Sequence, residues 1–307
     1  MRALVLGAAG MLGHRVWHHL RDHMDAYATL RRPYADYSAL GWFDEARVIG
    51  EVDVASDVHL DRAFAIAKPD VVVNAVGVVK QREDAGNAVQ SIAINALLPH
   101  RLAERCQARG ARLIHVSTDC VFSGSRGNYT EADPPDARDL YGRSKLLGEV
   151  DEPGCVTLRT SMVGREIGSA RGLLEWLMSQ RGGRVRGFTR ARFSGLTTAE
   201  LSRVIRSVAT HQTGLRGVWH VAGEQINKFA LLSLVNDAFG LRTDIVADDS
   251  FICDRTLDAS RFMDATGYRP PSWAAMVTEL ATDPAPYDDW ATQWTSTARD
   301  RSTVSTS

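Results

Sequence analysis

Lysine is scarce in this chain: of the 36 basic residues only Lys68, Lys80, Lys145 and Lys228 are lysines, the rest being arginine. Any lysine that falls at a chemically meaningful spacing therefore carries weight. An excess of charge of either sign is also missing, since 37 acidic residues give a net charge of -1. That argues against a nucleic-acid or anionic-membrane surface, where a basic excess is expected. No apolar run reaches the roughly 18 residues of a membrane span, and the N-terminus passes straight into a strand-like segment rather than a signal peptide. A cytoplasmic location is expected. Cysteine is sparse too: Cys106, Cys120, Cys155 and Cys253 have no C-x-x-C spacing, so reduced, mostly buried thiols are expected rather than disulfides or zinc. Nor does a metal cluster stand out. His14, His18 and His19 lack H-E-x-x-H spacing and a neighbouring carboxylate, and read as a solvated helix face.

What is present begins at residue 2. The opening RALVLGAAGMLGHRVWHHL reads as a buried strand, a glycine turn and an amphipathic helix. Its glycines fall at 7, 10 and 13: Gly7 suits the tight turn, Gly10 lets backbone approach a diphosphate at the helix N-terminus, and Gly13 allows close helix packing. Met11 and Leu12 belong to the same turn. Further strand-like runs lie near 26–30, 71–76, 111–116 and 155–159, with helical patterns near 57–67, 87–109 and 141–150. Such alternation predicts an α/β fold with a parallel sheet covered on both faces. After about residue 160 the pattern loosens, with helices near 171–180, 199–210, 227–239 and 272–281 and short strands such as 217–221. The expected division is a nucleotide-binding domain over 1–160 and a smaller substrate lobe over 161–282, some of whose elements could return to the sheet. Residues 283–307 read as a flexible tail.

Three segments carry chemistry. Tyr141 and Lys145, in YGRSK, share one helix face, so a lysine cation can lower the pKa of a phenol that must move a proton. With seven tyrosines and so few lysines, roughly 0.1 such pairs are expected by chance. Thr118, ending an apolar run, supplies a hydroxyl for a carbonyl oxygen. Arg31 and Arg32 follow the second strand, where arginine accommodates the 2′-phosphate of NADP and an acidic residue would serve NAD. Asp53, beside Val54, could meet an adenine amino group or cap a helix together with Ser56 and Asp57. The strand end Ala75-Val76-Gly77 is small enough for a cofactor to lie across it. Asn95, inside an apolar helix, either orients the lysine or is satisfied locally. Arg159, Arg192 and Arg255 are candidate guanidinium forks for a nucleotide diphosphate. Glu83 and Glu131 are acids without paired geometry, and His115 and His220 read as strand residues.

The order of GAAGMLG at 7–13, STDCVFSG at 117–124, YTEADPPDARDLYGRSKLLGE at 129–149 and LRTSMVG at 158–164 resembles the extended short-chain dehydrogenase/reductases, and within them the dTDP-4-dehydrorhamnose reductase branch. The resemblance covers residues 1–165 and continues weakly through 192–204 and 255–268. It implies a Rossmann-type doubly wound sheet with a small C-terminal α/β substrate lobe, and NADPH, with NADH as an alternative. It implies reduction of the 4-keto group of a nucleotide-linked 6-deoxyhexose by Thr118, Tyr141 and Lys145, in supply of a bacterial surface polysaccharide such as O-antigen. Cys120, Val121, Phe122 and Met162 then join Arg192 and Arg255 as substrate-side residues. Where relatives often carry tyrosine and tryptophan this chain has Cys120 and Met162, and its 192–198 segment reads RFSGLTT. A UDP-linked 2-acetamido-2,6-dideoxy-4-ketohexose is therefore an alternative substrate. Other readings are a non-catalytic NADP-binding regulatory subunit and a 4-epimerase or 4,6-dehydratase. A dehydratase wants an acidic pair after the threonine, and Asp119 is followed by Cys120. No metal is expected, and a homodimer through helices 87–109 and 141–150 is left open.

Overall fold

The computed structural model describes residues 1–79, 86–168 and 172–291. In chain order the first half runs β1 (Arg2–Leu6), α1 (Gly13–Arg21), β2 (Asp25–Thr29), β3 (Val48–Ile49), α2 (Asp57–Ala67), β4 (Val71–Asn74), α3 (Ala88–Ser91), a π-helical stretch (Ile92–Leu97), α4 (Leu98–Arg109), β5 (Arg112–Thr118), α5 (Leu140–Leu147) and β6 (Cys155–Thr160). The second half runs β7 (Met162–Val163), α6 (Leu173–Ser179), β8 (Arg184–Phe188), β9 (Ala191–Phe193), β10 (Leu196–Thr197), α7 (Thr198–Thr210), β11 (Gly217–His220), β12 (Ile226–Asn227), α8 (Lys228–Ala238), β13 (Asp244–Asp248), β14 (Cys253–Asp254), α9 (Ser260–Thr266) and α10 (Trp273–Ala281).

Seven strands pair in parallel in the order β11-β6-β5-β4-β1-β2-β3. The period-two geometry of a strand explains why both faces are apolar. In β1, Ala3 and Val5 join the core that includes α1 and α7, while Leu4 and Leu6 join the one beneath α2 and α4. The chain leaves β1 toward β2 and returns on the other side at β4, so the loops after β1 and β4 diverge at the sheet's C-terminal edge. That reversal opens the crevice in which doubly wound folds bind ligands.

Two elements of the second half complete this layer. β11 pairs with β6, Trp219 opposite Leu158, and α7 packs against α1 and the sheet. The remainder forms small pieces: a β8–β13 pair, a β12-β9-β14 sheet, and a β7–β10 pair, supported by α8 and α10.

Residues 283–291, expected as the start of a flexible tail, pack against the core. Tyr287 and Trp290 are buried, Trp290 Nε1 donates to the Leu40 carbonyl at 2.9 Å, and Arg15 pairs with Asp283 at 2.8 Å. The rest of the expected tail, 292–307, and Glu83 lie outside the described residues. The same packing corrects the histidine face. His14 is fully buried, bonded to Gly10 O at 2.9 Å and to the Tyr287 hydroxyl at 2.8 Å, and burial lowers its pKa to about 3. His18 stacks on Trp42, and His19 accepts from Arg206.

Candidate active site

The crevice contains a cleft of about 520 Å³ where the glycine turn, the ends of β4 and β5, α5 and the small strands converge. Gly7 takes φ +77°, and a Cβ at Gly13 would overlap the Gly7 carbonyl oxygen, so the turn closes only with these two glycines. Gly7 N and Ala8 N are both tied to Thr29 at the end of β2. No side chain caps the N-terminus of α1. Its first-turn amides and helix dipole therefore face the cleft as an anion site, with Gly10, Met11 and Leu12 on one side and Ala75, Val76 and Gly77 on the other. These residues fit a dinucleotide diphosphate.

The helix α5 is seated by close backbone approach. A Cβ at Gly142 would overlap the Cys120 carbonyl oxygen, and one at Gly148 would overlap that of Asn95. Asp139 caps the helix by accepting from Gly142 N at 2.9 Å. Asn95 lies in the π-helical stretch, a distortion that recurs at functional sites. Its Oδ1 accepts from Val78 N at 2.9 Å, and its Nδ2 donates to Val78 O at 3.0 Å and Ser144 Oγ at 3.2 Å. It thus binds the β4 loop to α5 and makes no hydrogen bond to Lys145.

Lys145 is buried, and its Nζ donates to the Val116 carbonyl at 2.7 Å, with His115 Nε2 at 3.5 Å. Burial brings the lysine down to about 8, partly opposed by Glu149. Asn74 Oδ1 accepts from Val76 N, and its Nδ2 faces His115 Nδ1 at 3.1 Å. His115 is held neutral by burial and by the lysine charge. Tyr141 has its phenol raised by burial and by Cys120, against the lowering effect of a hydrogen bond with Thr118. Thr118 Oγ1 donates to Asp119 Oδ1 at 3.2 Å and accepts from Cys120 N at 3.1 Å. Burial raises the Asp119 carboxyl, while Arg255 and Lys228 pull it down. The arrangement can bind an anion at one end and exchange a proton at a hydroxyl-bearing centre in the middle.

Of the residues read from sequence, Gly10, Met11, Leu12, Ala75, Val76, Gly77, Cys120, Tyr141, Lys145, Met162, Arg192 and Arg255 line this cleft. Gly7, Gly13 and Asn95 shape its walls. Arg31 and Arg32 are exposed just past β2, and Asp53 is exposed with its carboxylate accepting from Ala55 N at 3.0 Å. Ser56 rather than Asp53 caps α2, and Val54 packs against the core. Val121 and Phe122 are corrected: both are fully buried, because the 3₁₀ turn after Thr118 directs them into the core. Phe122 stacks on Tyr129 at 4.2 Å, though its carbonyl accepts from Arg255 Nε at 2.9 Å. Arg159 is corrected as well. It is buried and does not line the cleft, forking Glu149 at 2.8 and 2.6 Å over the Phe122 ring, and Glu149 also accepts from Ser117 Oγ. Glu131 accepts from His220 N at 2.9 Å. Cleft residues that the sequence reading missed include Glu166, Lys228, Phe251 and Cys253. For Lys228 the available signal was its rarity; the others carried none.

The family model described as RmlD substrate binding domain matches residues 1–282. A probable dTDP-4,6-dihydroxy-2-methyloxan-3-one 4-ketoreductase from Streptomyces antibioticus is 30% identical over 228 residues, 72% of this chain and 70% of the relative. Methionine adenosyltransferase 2 subunit beta from Danio rerio is 29% identical over 257 residues, 78% of this chain and 74% of the relative. A Bacillus anthracis dTDP-4-dehydrorhamnose reductase solved with NADP superposes with a TM-score of 0.74 at 19% identity, covering 91% of this chain and 98% of that one. With the family model spanning the sheet, the cleft and the small lobe, the chain belongs to the RmlD family of extended short-chain dehydrogenase/reductases, which are NAD(P)-dependent oxidoreductases.

Proposed function

We propose that this protein reduces the 4-keto group of a nucleotide-activated 6-deoxyhexose with NADPH, as a precursor step for a surface polysaccharide. The observation that carries the reading is the convergence of Tyr141 and Lys145 in one cleft beside the uncapped N-terminus of α1, with Thr118 buried behind the cleft wall and hydrogen-bonded to Tyr141. Arg31 and Arg32, exposed past the strand that anchors the glycine turn, favour the 2′-phosphorylated cofactor.

The dinucleotide, when bound, supplies the hydride. Gly10, Met11 and the first turn of α1 hold its diphosphate, and Ala75–Gly77 leave room for the ribose. Thr118 Oγ1 holds the carbonyl oxygen, and Tyr141 donates its proton to that oxygen as charge develops. A phenol raised by burial is protonated at neutral pH and ready to act as the acid. The Lys145 ammonium, still largely charged at pH 7 with a pKa of about 8, stabilises the resulting phenolate. Cys120 and Met162 line the substrate side, where smaller side chains than the tyrosine and tryptophan common in the branch also suit a bulkier 2-acetamido sugar on UDP.

The test is NADPH oxidation with purified dTDP- and UDP-linked 4-keto-6-deoxysugars. Turnover with either supports the reading; background rates with both would sink it. A second reading, a dinucleotide-binding subunit of a larger enzyme, is favoured by similarity to the relative named methionine adenosyltransferase 2 subunit beta. It predicts NADP binding without reduction, and a stable hetero-complex in pull-down.

A further inference from the structure

Lys228 is the first residue of α8, directly after the cap Asn227, whose Oδ1 accepts from Ala230 N at 2.8 Å. A cation there faces the positive end of a helix dipole. It also lines the cleft, where burial lowers its pKa. Both effects cost free energy, yet among the described residues its ammonium has no hydrogen bond or ion pair, only the Phe193 ring at 4.0 Å. Elsewhere the chain uses arginine almost without exception, and Lys68 is exposed on the surface. A compact three-donor ammonium suits a single electron-rich oxygen better than a planar fork does.

Its position decides which oxygen. Asp119 and Cys120, which follow Thr118 directly, line the same cleft as Lys228, and Asn227 just before it pairs with Arg192 on β9. On the proposed function this sets Lys228 on the substrate-lobe wall, toward the keto carbon. The forked donors Arg255 and Arg192 line the same substrate-lobe wall, with Arg255 Nε and Nη2 tied to the carbonyls of Phe122 and Ser123 at 2.9 and 3.3 Å.

We infer that Lys228 binds the sugar half of the substrate, donating to a ring substituent oxygen beside the keto carbon and thereby selecting among keto-sugars. The inference rests on the nucleotide-sugar reading above. Its test compares wild type, Lys228→Met and Lys228→Arg by calorimetric titration with dTDP-glucose and with dTDP, and by turnover of dTDP-4-keto-6-deoxyglucose. A lost charged hydrogen bond predicts that Lys228→Met raises KM about tenfold or more. It also predicts loss of the affinity gain of dTDP-glucose over dTDP, while dTDP and NADPH affinities stay within about twofold. Lys228→Arg should recover part of the loss. Equal weakening of dTDP and dTDP-glucose would assign Lys228 to the diphosphate and overturn the inference, as would an unchanged KM and unchanged dTDP-glucose binding. If wild type binds neither these dTDP compounds nor their UDP counterparts and turns none of the keto-sugars over, the reductase reading falls and the inference with it. A silent variant beside an active wild type overturns the inference alone.

Discussion

On the nucleotide side of the cleft, Thr118 and Lys145 stand on a seven-residue strand and a capped helix, and both are tied to backbone or neighbouring side chains. The opposite wall is assembled from the three-residue β9 and the two-residue β12 and β14, with Lys228 resting on a ring and Phe251 and Ile252 about 49% and 61% exposed. On the proposed function the first is the proton-moving wall, hydrogen-bonded before any ligand arrives, and the second the recognising wall, where the Lys228 ammonium meets only a ring. Rigidity is invested where a misplaced atom costs rate, and adaptability where a different sugar must be accommodated.

Changes to the proton-moving wall should dominate. Tyr141→Phe is expected to lower kcat by about 10³-fold while NADPH affinity stays within about threefold, read by stopped-flow and fluorescence titration. Equal losses in both would erase the distinction between the walls. Next comes Lys145, whose pKa falls from 10.5 in the unfolded chain to about 8 when folded. The unfolded state then binds more protons between pH 8 and 10.5, so this group adds stability as pH rises through that window. It should contribute up to about 3 kcal/mol. Urea titrations at pH 7.5 and 10 should show wild type gaining on Lys145→Met by that order, and a constant difference would contradict the assigned burial.

Gly142→Ala tests the seat of α5: its Cβ meets the Cys120 carbonyl and crowds Ala137, for about 2 kcal/mol of lost stability together with lost turnover. Gly214→Ala, where nothing lies within 4 Å, should be close to neutral in the same melts. Exchanging Arg31 and Arg32 for serine should lower NADPH over NADH preference about tenfold in kcat/KM, with rates on NADH little changed. The smallest effect belongs to the recognising wall's edge. Arg192→Gln, at an exposed strand position, should raise KM only about threefold and less at high salt.

Local patterns were legible where local physics decides. The strand–glycine–helix opening and YGRSK are written in consecutive residues, and the structure places them together in the cleft. Arg159 and Phe122 were misread because a strand or turn residue can face either side, and the choice depends on Glu149 and Tyr129, which arrive from other elements. His14 looked solvated because its cover, Tyr287, lies 273 residues away. Lys228 stood out in the sequence only as one of four lysines. Its meaning comes from Phe193 and Asp119, which only the fold brings near.

The strand β11 has a consequence for how the molecule is made. β6 is valine- and leucine-bearing and fully buried, yet its outer hydrogen-bonding edge is covered by residues 217–220, and its face by α7. During synthesis that edge stays open until His220 has left the ribosome, so the nucleotide half cannot close as an independent early unit. An open parallel edge invites pairing with another chain. A fragment stopped at Thr160 should therefore emerge insoluble, although it already carries Thr118, Tyr141 and Lys145.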